Sequence, residues 1–153
     1  MDLPICAQIT TLQCKAAMAH LSLYTNQNKV DIVFIQEPYC YIPADYSVFY
    51  VSSHTNPRAS LLIRQEITQN YVPLRNFSNP DNVYKTPIHI ASCYLHPYDT
   101  LEQDLTPTET FITSVKLTNF IWGLDANSKH NIWYSSTTDT RGRILIDFLS
   151  LHG

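Results

Sequence analysis

The amino-terminal part of the chain alternates between short apolar runs and one amphipathic stretch. Ile5–Ile9 predicts a strand, and Thr10 or Thr11 after it can accept the free N–H groups at the start of a helix. That helix is predicted over Leu12–Tyr24, with a buried stripe at helical spacing formed by Cys14, Ala17, Met18 and Leu21. Within Val30–Pro38, four consecutive apolar residues indicate a strand covered on both faces. Strand, helix and strand in this order predict a βαβ-type unit.

Further apolar runs predict a second set of strands. They fall at Ser47–Ser52, Ala59–Ile63, Tyr71–Leu74 and Pro87–Leu95. A last run, Phe120–Trp122, breaks at Gly123 and is followed at once by polar residues. This pattern predicts a buried strand that runs into a polar loop. Strands and helices interspersed in this way indicate the α/β fold class.

Two more helices are predicted in the second half of the chain. Asp99–Glu109 is acidic and predicts a solvated loop, followed by a short helix after Pro107 with Phe111, Ile112 and Val115 inward. Asp139 or Thr140 is expected to cap a final helix that ends near Gly153. The buried face of that helix is predicted to consist of Ile144, Leu145, Phe148 and Leu149.

Composition limits the class of protein. A chain of 153 residues suits one domain, and 44% hydrophobic with 15% charged residues is typical of globular proteins. No apolar run approaches the length of a membrane span, and Met1–Pro4 lacks the features of a signal peptide, so an intracellular protein without membrane contact is expected. The net charge of −3 does not indicate broad binding to nucleic-acid phosphates, although a small basic rim remains compatible with it.

The four cysteines, Cys6, Cys14, Cys40 and Cys93, show no CxxC spacing. Cys6 and Cys93 lie in apolar runs, which favours buried free thiols over a zinc site.

Polar side chains follow two of the predicted buried strands. Asp125 and Asn127 come after the strand that breaks at Gly123, and Glu37 ends the strand within Val30–Pro38. Open α/β sheets carry their chemistry at such carboxyl ends. On an extended segment, residues two apart point to the same side, so Asp125 and Asn127 can contact one ligand together. The alternative is a simple turn, because Asx side chains bond their own backbone.

Glu37, Arg58 and Tyr94 each allow a functional and a structural interpretation. A carboxylate at the end of a buried strand is costly unless it is paired, hydrogen-bonded or bound to a metal; the alternative for Glu37 is a side chain in solvent. Arg58 precedes a strand, where its guanidinium can contact a phosphate or a surface carboxylate. Tyr94 ends another strand, as a site phenol or as a core tyrosine.

These residues would bring two carboxylates, a carboxamide and a phenol to one rim of one sheet. Such oxygen ligands suit Mg²⁺ or Mn²⁺, which bind through one or two carboxylates and the phosphate oxygens of a substrate. The pattern favours metal-assisted hydrolysis of a phosphoester. Asp125 would orient or deprotonate water, and Asn127 would hold a phosphate oxygen or the Asp125 carboxylate.

Several short motifs resemble, in order, those of the endonuclease domain of non-LTR retrotransposons. They are Gln36-Glu37-Pro38-Tyr39, Arg58-Ala59, Trp122-Gly123-Leu124-Asp125-Ala126-Asn127, Trp133 and Arg141-Gly142. That domain belongs to the endonuclease/exonuclease/phosphatase superfamily, with apurinic-endonuclease-like and DNase I-like relatives. The resemblance covers nearly the whole chain and implies a four-layer α/β sandwich with two central sheets flanked by helices.

The resemblance also implies roles for individual residues. Glu37 matches the metal-binding glutamate, Asp125 and Asn127 match the catalytic Asp-x-Asn, and Tyr94 falls near the scissile phosphate. Thr10 stands where the family usually has an asparagine close to the metal, and threonine lacks the second hydrogen-bonding group of the amide.

Weaker contacts with the substrate are expected from Thr10, Arg58 and His130. The implied activity is nicking of target DNA with Mg²⁺ or Mn²⁺, in the nucleus, beside a reverse transcriptase domain of the same polyprotein.

The family's later strands end in a Ser-Asp-His motif that supplies the general-base histidine and its aspartate. The sequence has no counterpart before Gly153, and His152, on the predicted last helix, is not a substitute. Without this proton transfer the rate falls by about 10²–10⁴-fold. Residues 1–153 are therefore expected to form the amino-terminal and middle part of the domain, an incomplete sandwich without its last strands and with little or no nicking activity.

Two other functions remain open. One is a phosphatase of the same superfamily that acts on a lipid or small-molecule phosphoester. The other is a non-catalytic relic or binding module that keeps the fold, which the negative net charge and the absent histidine both favour.

Overall fold

The computed structural model describes residues 4–39, 42–50, 56–74, 82–86, 89–115 and 120–152. Contacts divide the chain into two compact units, Met1–Tyr94 with Asn119–Asp125, and Leu95–Thr118 with Ala126–Gly153. The first unit contains, in chain order, β1 (Cys6–Thr10), α1 (Lys15–Gln27), β2 (Ile32–Gln36), β3 (Tyr46–Phe49), β4 (Ala59–Arg64), α2 (Gln65–Thr68), β5 (Val72–Pro73), β6 (Asn82–Thr86), β7 (His89–Tyr94) and β8 (Phe120–Asp125). The second contains α3 (Leu101–Val115), a 3-10 helix (Asn131–Trp133) and α4 (Thr140–His152).

The first sheet has the strand order β1-β2-β4-β3. β1 and β2 are parallel, whereas β4 runs antiparallel to β2 and β3. A parallel pair connected by α1 confirms the predicted βαβ unit. All five residues of β2 are buried, as its apolar run predicted. One face of the sheet packs against α1 in a core cluster that includes Met18, Leu21, Val33, Ile35 and Leu62.

Helix α1 begins at Lys15, later than predicted. Leu12 and Gln13 have positive φ angles of 49° and 53°, a left-handed conformation that an α-helix cannot contain. Cys14 therefore precedes the helix with an extended backbone and is exposed, so its predicted place in the buried stripe is wrong.

The second sheet has the order β5-β6-β7-β8. β7 and β8 are parallel, and the other two pairs are antiparallel. The strand predicted within Tyr71–Leu74 is confirmed as β5, and β7 lies within the predicted Pro87–Leu95. β6 was not predicted, because its short mixture of polar and apolar residues carries no clear alternation and depends on pairing with β7.

The two sheets of the first unit face each other across an apolar layer. Ile32, Phe34, Leu61 and Ile63 of the first sheet and Ile90 of the second form one buried cluster. None of these side chains is more than 2% exposed, and burying each contributes about 1.5–3 kcal/mol. An α/β fold with two central sheets, as the resemblance implied, is confirmed.

Helix α3 starts at Leu101 and includes Pro107, so the predicted acidic loop and the start after Pro107 are both wrong. Buried residues recur at helical spacing on both sides of the proline: Leu101, Leu105, Thr108 and Phe111. Burial of this face outweighs the cost of a proline inside a helix, about 3 kcal/mol. Glu102 and Asp104 lie in the first turn, where carboxylates interact favourably with the helix dipole.

Helix α4 begins at Thr140, as predicted, and Asp139 caps it. The N–H of Gly142 donates to Asp139 Oδ1 at 2.7 Å. On its predicted inner face Leu145 is buried, but Leu149 is 39% exposed. The prediction for Leu149 is therefore wrong, because the buried stripe is narrower than the apolar pattern. Gly153 lies outside the described residues.

The cysteines differ in exposure. Cys93 is buried, as predicted, whereas Cys6 is exposed because it lies on β1, at the edge of the first sheet. Cys40 lies outside the described residues. In the part of the chain that the structure describes, no helix has the length and apolar character needed to cross a membrane.

Candidate active site

The first unit carries a group of polar side chains where the apolar layer between its sheets ends. Alternation along the strands directs Gln36 to the same side of β2 as Phe34 and Ile32, and directs Asp125 to the same side of β8 as Ile121. Tyr94 and Asp125 are the last residues of β7 and β8 and are paired in register. The candidate residues therefore come from the ends of strands in two facing sheets. The prediction of one rim of one sheet is wrong, because β2 and the pair β7–β8 belong to different sheets.

Thr10 and Asp125 are joined directly. Thr10 Oγ1 donates to Asp125 Oδ2 at 3.0 Å, and nearby Gln8 Nε2 donates to the carbonyl of Leu124 at 2.7 Å. These bonds connect β1, at the edge of the first sheet, to β8, at the edge of the second. A hydroxyl at residue 10 thus orients one oxygen of the candidate catalytic carboxylate.

The backbone at Glu37 is held in an uncommon conformation. Its φ is 50°, in the left-handed region that non-glycine residues adopt rarely. The N–H of Glu37 donates to the carbonyl of Arg58 at 2.7 Å, and the carbonyl of Glu37 accepts from Gln13 N–H at 2.9 Å and from the Thr11 hydroxyl. Backbone strain of this kind persists where surrounding contacts fix it, often at functional sites. These hydrogen bonds fix the backbone of Glu37 at the end of β2.

Arg58 contacts both Glu37 and Tyr94. Its Nη1 lies 3.6 Å from Glu37 Oε1, and its guanidinium carbon lies 5.2 Å from the centre of the Tyr94 ring. The Glu37 side chain is 17% exposed and that of Arg58 is 35% exposed. The carboxylate at the strand end is therefore paired, and Tyr94, 7% exposed, is both buried and in contact with a cation.

Gln36 is a residue whose role the sequence did not reveal. It is fully buried, and its Nε2 donates to Ser92 Oγ at 3.1 Å and to the carbonyl of Gly123 at 3.3 Å. Ser92 Oγ donates in turn to the carbonyl of Ile35 at 3.2 Å. This polar bridge links the two sheets one residue before Glu37. A glutamine at the end of an apolar run was the available signal.

Gly123 allows the sheets to approach each other closely beside this bridge. A Cβ atom at Gly123 would lie 2.2 Å from Cβ of Phe34, a distance that no side chain can occupy. The break in the apolar run before Asp125 is therefore required by packing in the first unit.

In the second unit, Asn127 does not continue the strand. Its φ is 45°, and its Nδ2 donates to the carbonyl of Leu95 at 2.9 Å. The backbone at Asn127 is therefore left-handed, where the sequence predicted an extended segment. The carboxamide bonds a distant carbonyl and fixes the loop after residue 125.

The same loop contains His130, predicted as a weak substrate contact. Its Nδ1 accepts from Ile132 N–H at 3.1 Å, which caps the 3-10 helix, and its ring lies 5.2 Å from the Trp133 ring. Trp133 Nε1 donates to the carbonyl of Ser128 at 3.2 Å. In the described structure these residues stabilise the loop, and a substrate contact by His130 stays a prediction.

Arg141 and Gly142 hold the start of α4 against this loop. Arg141 donates to the carbonyls of Asp99 at 2.7 Å and Ala126 at 3.2 Å. Its Nη2 also lies 3.7 Å from Asp104 Oδ2. Burial, and to a smaller extent the negative charge of Asp99, raises the pKa of Asp104 even though this cation is close. A Cβ at Gly142 would lie 2.0 Å from the carbonyl oxygen of Lys129. The Arg-Gly dipeptide was seen in the sequence, but not its structural function.

The donor chemistry of the first unit fits a magnesium ion. Among the described residues, no group of three or more His, Cys, Asp or Glu side chains could hold a metal. Mg²⁺ does not require such a group, since it keeps several waters and binds through one or two carboxylates and substrate phosphates. Glu37, a partly exposed carboxylate at a strand end, meets that description.

Comparison with known proteins gives two findings. Residues 88–153 match a family model described as endonuclease-reverse transcriptase. The structure is similar to the solved endonuclease domain of TRAS1, a telomere-specific non-LTR retrotransposon, with a TM-score of 0.85 and 24% identity over 95% of this chain and 69% of that one. The predicted resemblance is confirmed. In fold, the chain resembles that retrotransposon endonuclease domain, and the family model adds a match over residues 88–153 alone. No curated protein matches the sequence significantly.

Proposed function

We propose that the chain is a metal-dependent, DNA-nicking endonuclease domain of a retrotransposon. The observation that carries this proposal is the pair of carboxylates, Glu37 and Asp125, at the carboxyl ends of strands in two facing sheets, each oriented by a neighbouring side chain. The likeness in fold to the TRAS1 endonuclease domain supports DNA as the substrate.

In this mechanism Glu37 would hold a divalent cation, Mg²⁺ or Mn²⁺. A cation held there would supply Lewis-acid stabilisation of the charge that develops on the phosphate oxygens. Asp125 orients the attacking water or accepts its proton, and the Thr10 hydroxyl fixes the rotamer of that carboxylate. Tyr94 contributes a phenol near the scissile phosphate, and Asn127 holds the loop that follows Asp125. Thr10, Arg58 and His130 are weaker candidates for contact with DNA.

The 153 residues by themselves are proposed to nick slowly. They contain no Ser-Asp-His motif, so the general base that this motif provides in the family is not among them. General-base catalysis contributes about 10²–10⁴-fold, which sets the expected deficit. A reverse transcriptase domain as the partner and action in the nucleus follow from the same proposal.

A substrate comparison tests the function. The chain in excess over substrate is incubated with Mg²⁺ and either supercoiled plasmid or a panel of inositol, lipid and nucleotide phosphoesters. Conversion of plasmid to the nicked form, without phosphate release from the panel, is expected. Phosphate release without nicking would indicate a phosphatase instead. Binding of DNA with neither reaction would indicate a non-catalytic binding module.

A further inference from the structure

Arg58 stands beside the carboxylate that the proposed function assigns to the metal. We propose that Arg58 is a built-in counter-cation of Glu37, which the divalent metal displaces, and that the released guanidinium then contacts a DNA phosphate. This inference rests on the proposed function and adds a competition between a side chain and the metal for one carboxylate.

The contact between the two side chains is close but not tight. The separation of 3.6 Å between Arg58 Nη1 and Glu37 Oε1 is that of an ion pair longer than a hydrogen bond. The backbone, in contrast, is firmly joined, because Glu37 N–H donates to the Arg58 carbonyl at 2.7 Å. Gln36 and Ala59, the neighbouring residues, are also paired in register. The Arg58 guanidinium can therefore move away from the Glu37 carboxylate while the Cα of Arg58 stays in place.

The ring of Tyr94 is a second contact for the Arg58 guanidinium. At 5.2 Å from the ring centre, the Arg58 cation is within the range of a cation–π interaction. Tyr94 pairs in register with Asp125, so this ring lies beside the candidate catalytic carboxylate. A guanidinium that leaves Glu37 therefore stays beside Tyr94 and Asp125. Its planar fork of donors is suited to binding a phosphate there.

Competition for Glu37 should change two measurable affinities, that for the metal and that for DNA. When two cations compete for one carboxylate, binding of either one weakens binding of the other, and the two effects are equal in size. An ion pair of this exposure contributes at most modestly, so removal of the Arg58 charge is expected to tighten metal binding about two- to fivefold. The same removal is expected to weaken DNA binding, because one phosphate contact is lost. An arginine that only stabilised the fold would not change the two affinities in opposite directions.

The test compares Arg58→Gln, Arg58→Lys and the wild-type chain. Mn²⁺ affinity is measured by electron paramagnetic resonance of the free ion, and affinity for a short duplex is measured with Ca²⁺ over a range of salt concentrations. Arg58→Gln should bind Mn²⁺ about two- to fivefold more tightly and should lower the slope of log affinity against log salt by about one. Arg58→Lys keeps the charge, so its Mn²⁺ affinity and its salt slope should stay near those of the wild-type chain. Arg143→Gln, which removes an exposed charge on α4, serves as the matched control and should leave Mn²⁺ affinity unchanged.

A Glu37→Gln background makes the assignment specific. There, Arg58→Gln should no longer alter Mn²⁺ affinity, since the shared carboxylate is absent. If the wild-type chain binds Mn²⁺ but Arg58→Gln leaves that affinity unchanged or lowers it, the counter-cation proposal is overturned and the proposed function stands. Unchanged DNA affinity in Arg58→Gln would overturn the transfer to phosphate. A wild-type chain that does not bind Mn²⁺ overturns both this inference and the proposed function.

Discussion

Thr10 Oγ1 donates a hydrogen bond of 3.0 Å to Asp125 Oδ2, and so joins the last residue of β1 to the last residue of β8. The two residues are 115 positions apart in the sequence and belong to different sheets. The resemblance leads one to expect an asparagine at residue 10. In this chain the Thr10 hydroxyl donates to the Asp125 carboxylate instead. We therefore propose that Thr10 positions Asp125.

Loss of this hydroxyl should lower nicking. Thr10→Val keeps the shape of the side chain but removes the donor, and we expect about a tenfold slower reaction, since a misdirected group costs about 1.4 kcal/mol or more. Thr10→Ser retains the donor and should recover at least half of the wild-type rate. Single-turnover nicking with protein in excess measures both. Equal rates for the valine and serine variants would show that the bond has no role in catalysis.

Gly142→Ala should strongly destabilise the fold. The added Cβ would lie 2.0 Å from the carbonyl oxygen of Lys129, which is backbone and cannot move like the end of a side chain. We expect a loss of about 1–3 kcal/mol in the free energy of unfolding, measured by urea denaturation. Ser150→Ala, at an exposed position of the same helix, is the control and should change stability by less than about 0.5 kcal/mol. A Gly142→Ala chain as stable as this control would show that the loop and α4 are not in close contact.

The cap at Asp139 should make stability depend on acid pH. Burial alone would raise the pKa of Asp139, but hydrogen bonds from the N–H groups of Gly142 and Lys129 outweigh it and lower the pKa below the ordinary value of 3.8. A carboxyl with a depressed pKa in the folded state stabilises the fold above its unfolded pKa. That stability is lost as the pH falls from about 4 through the folded pKa.

Two substitutions separate the cap from its charge. Asp139→Ala should lose about 0.5–2 kcal/mol at pH 7, whereas Asp139→Asn keeps an acceptor and should lose less. Both should reduce the fall in stability below pH 4, as measured by thermal unfolding from pH 3 to 7. Asp147→Asn, an exposed carboxylate on the same helix, is the control. An Asp139→Asn chain with an unchanged acid profile would contradict the depressed pKa.

The elements that the sequence predicted well are those whose pattern is local. The continuous apolar run in β2 predicted a strand covered on both faces, and Asp139 predicted the start of α4. β6 and the first half of α3 were missed, because strand pairing and burial across Pro107 override local propensity. A single sequence does not reveal such long-range contacts.

In the candidate site, too, local features could be predicted from the sequence and long-range contacts could not. Glu37 and Asp125 could be found because a carboxylate at the end of a buried strand is costly unless it is paired, hydrogen-bonded or bound to a metal. Their partners could not, because the contacts Thr10–Asp125 and Arg58–Glu37 connect segments that are distant in the sequence. The Gln36–Ser92 bridge is of the same kind, since it depends on two sheets facing each other.

Glu37 is proposed to hold a divalent cation at the end of β2. The most direct measurement is a Mn²⁺ titration of the wild-type chain, Glu37→Gln and Glu66→Gln by electron paramagnetic resonance. Glu66 is an exposed glutamate on α2 and provides the matched loss of one carboxylate. The wild-type chain and Glu66→Gln are expected to bind Mn²⁺ with similar Kd, and Glu37→Gln is expected to bind Mn²⁺ at least about tenfold more weakly. Equal Mn²⁺ affinity in all three proteins, or no binding by the wild-type chain, would contradict metal binding by Glu37.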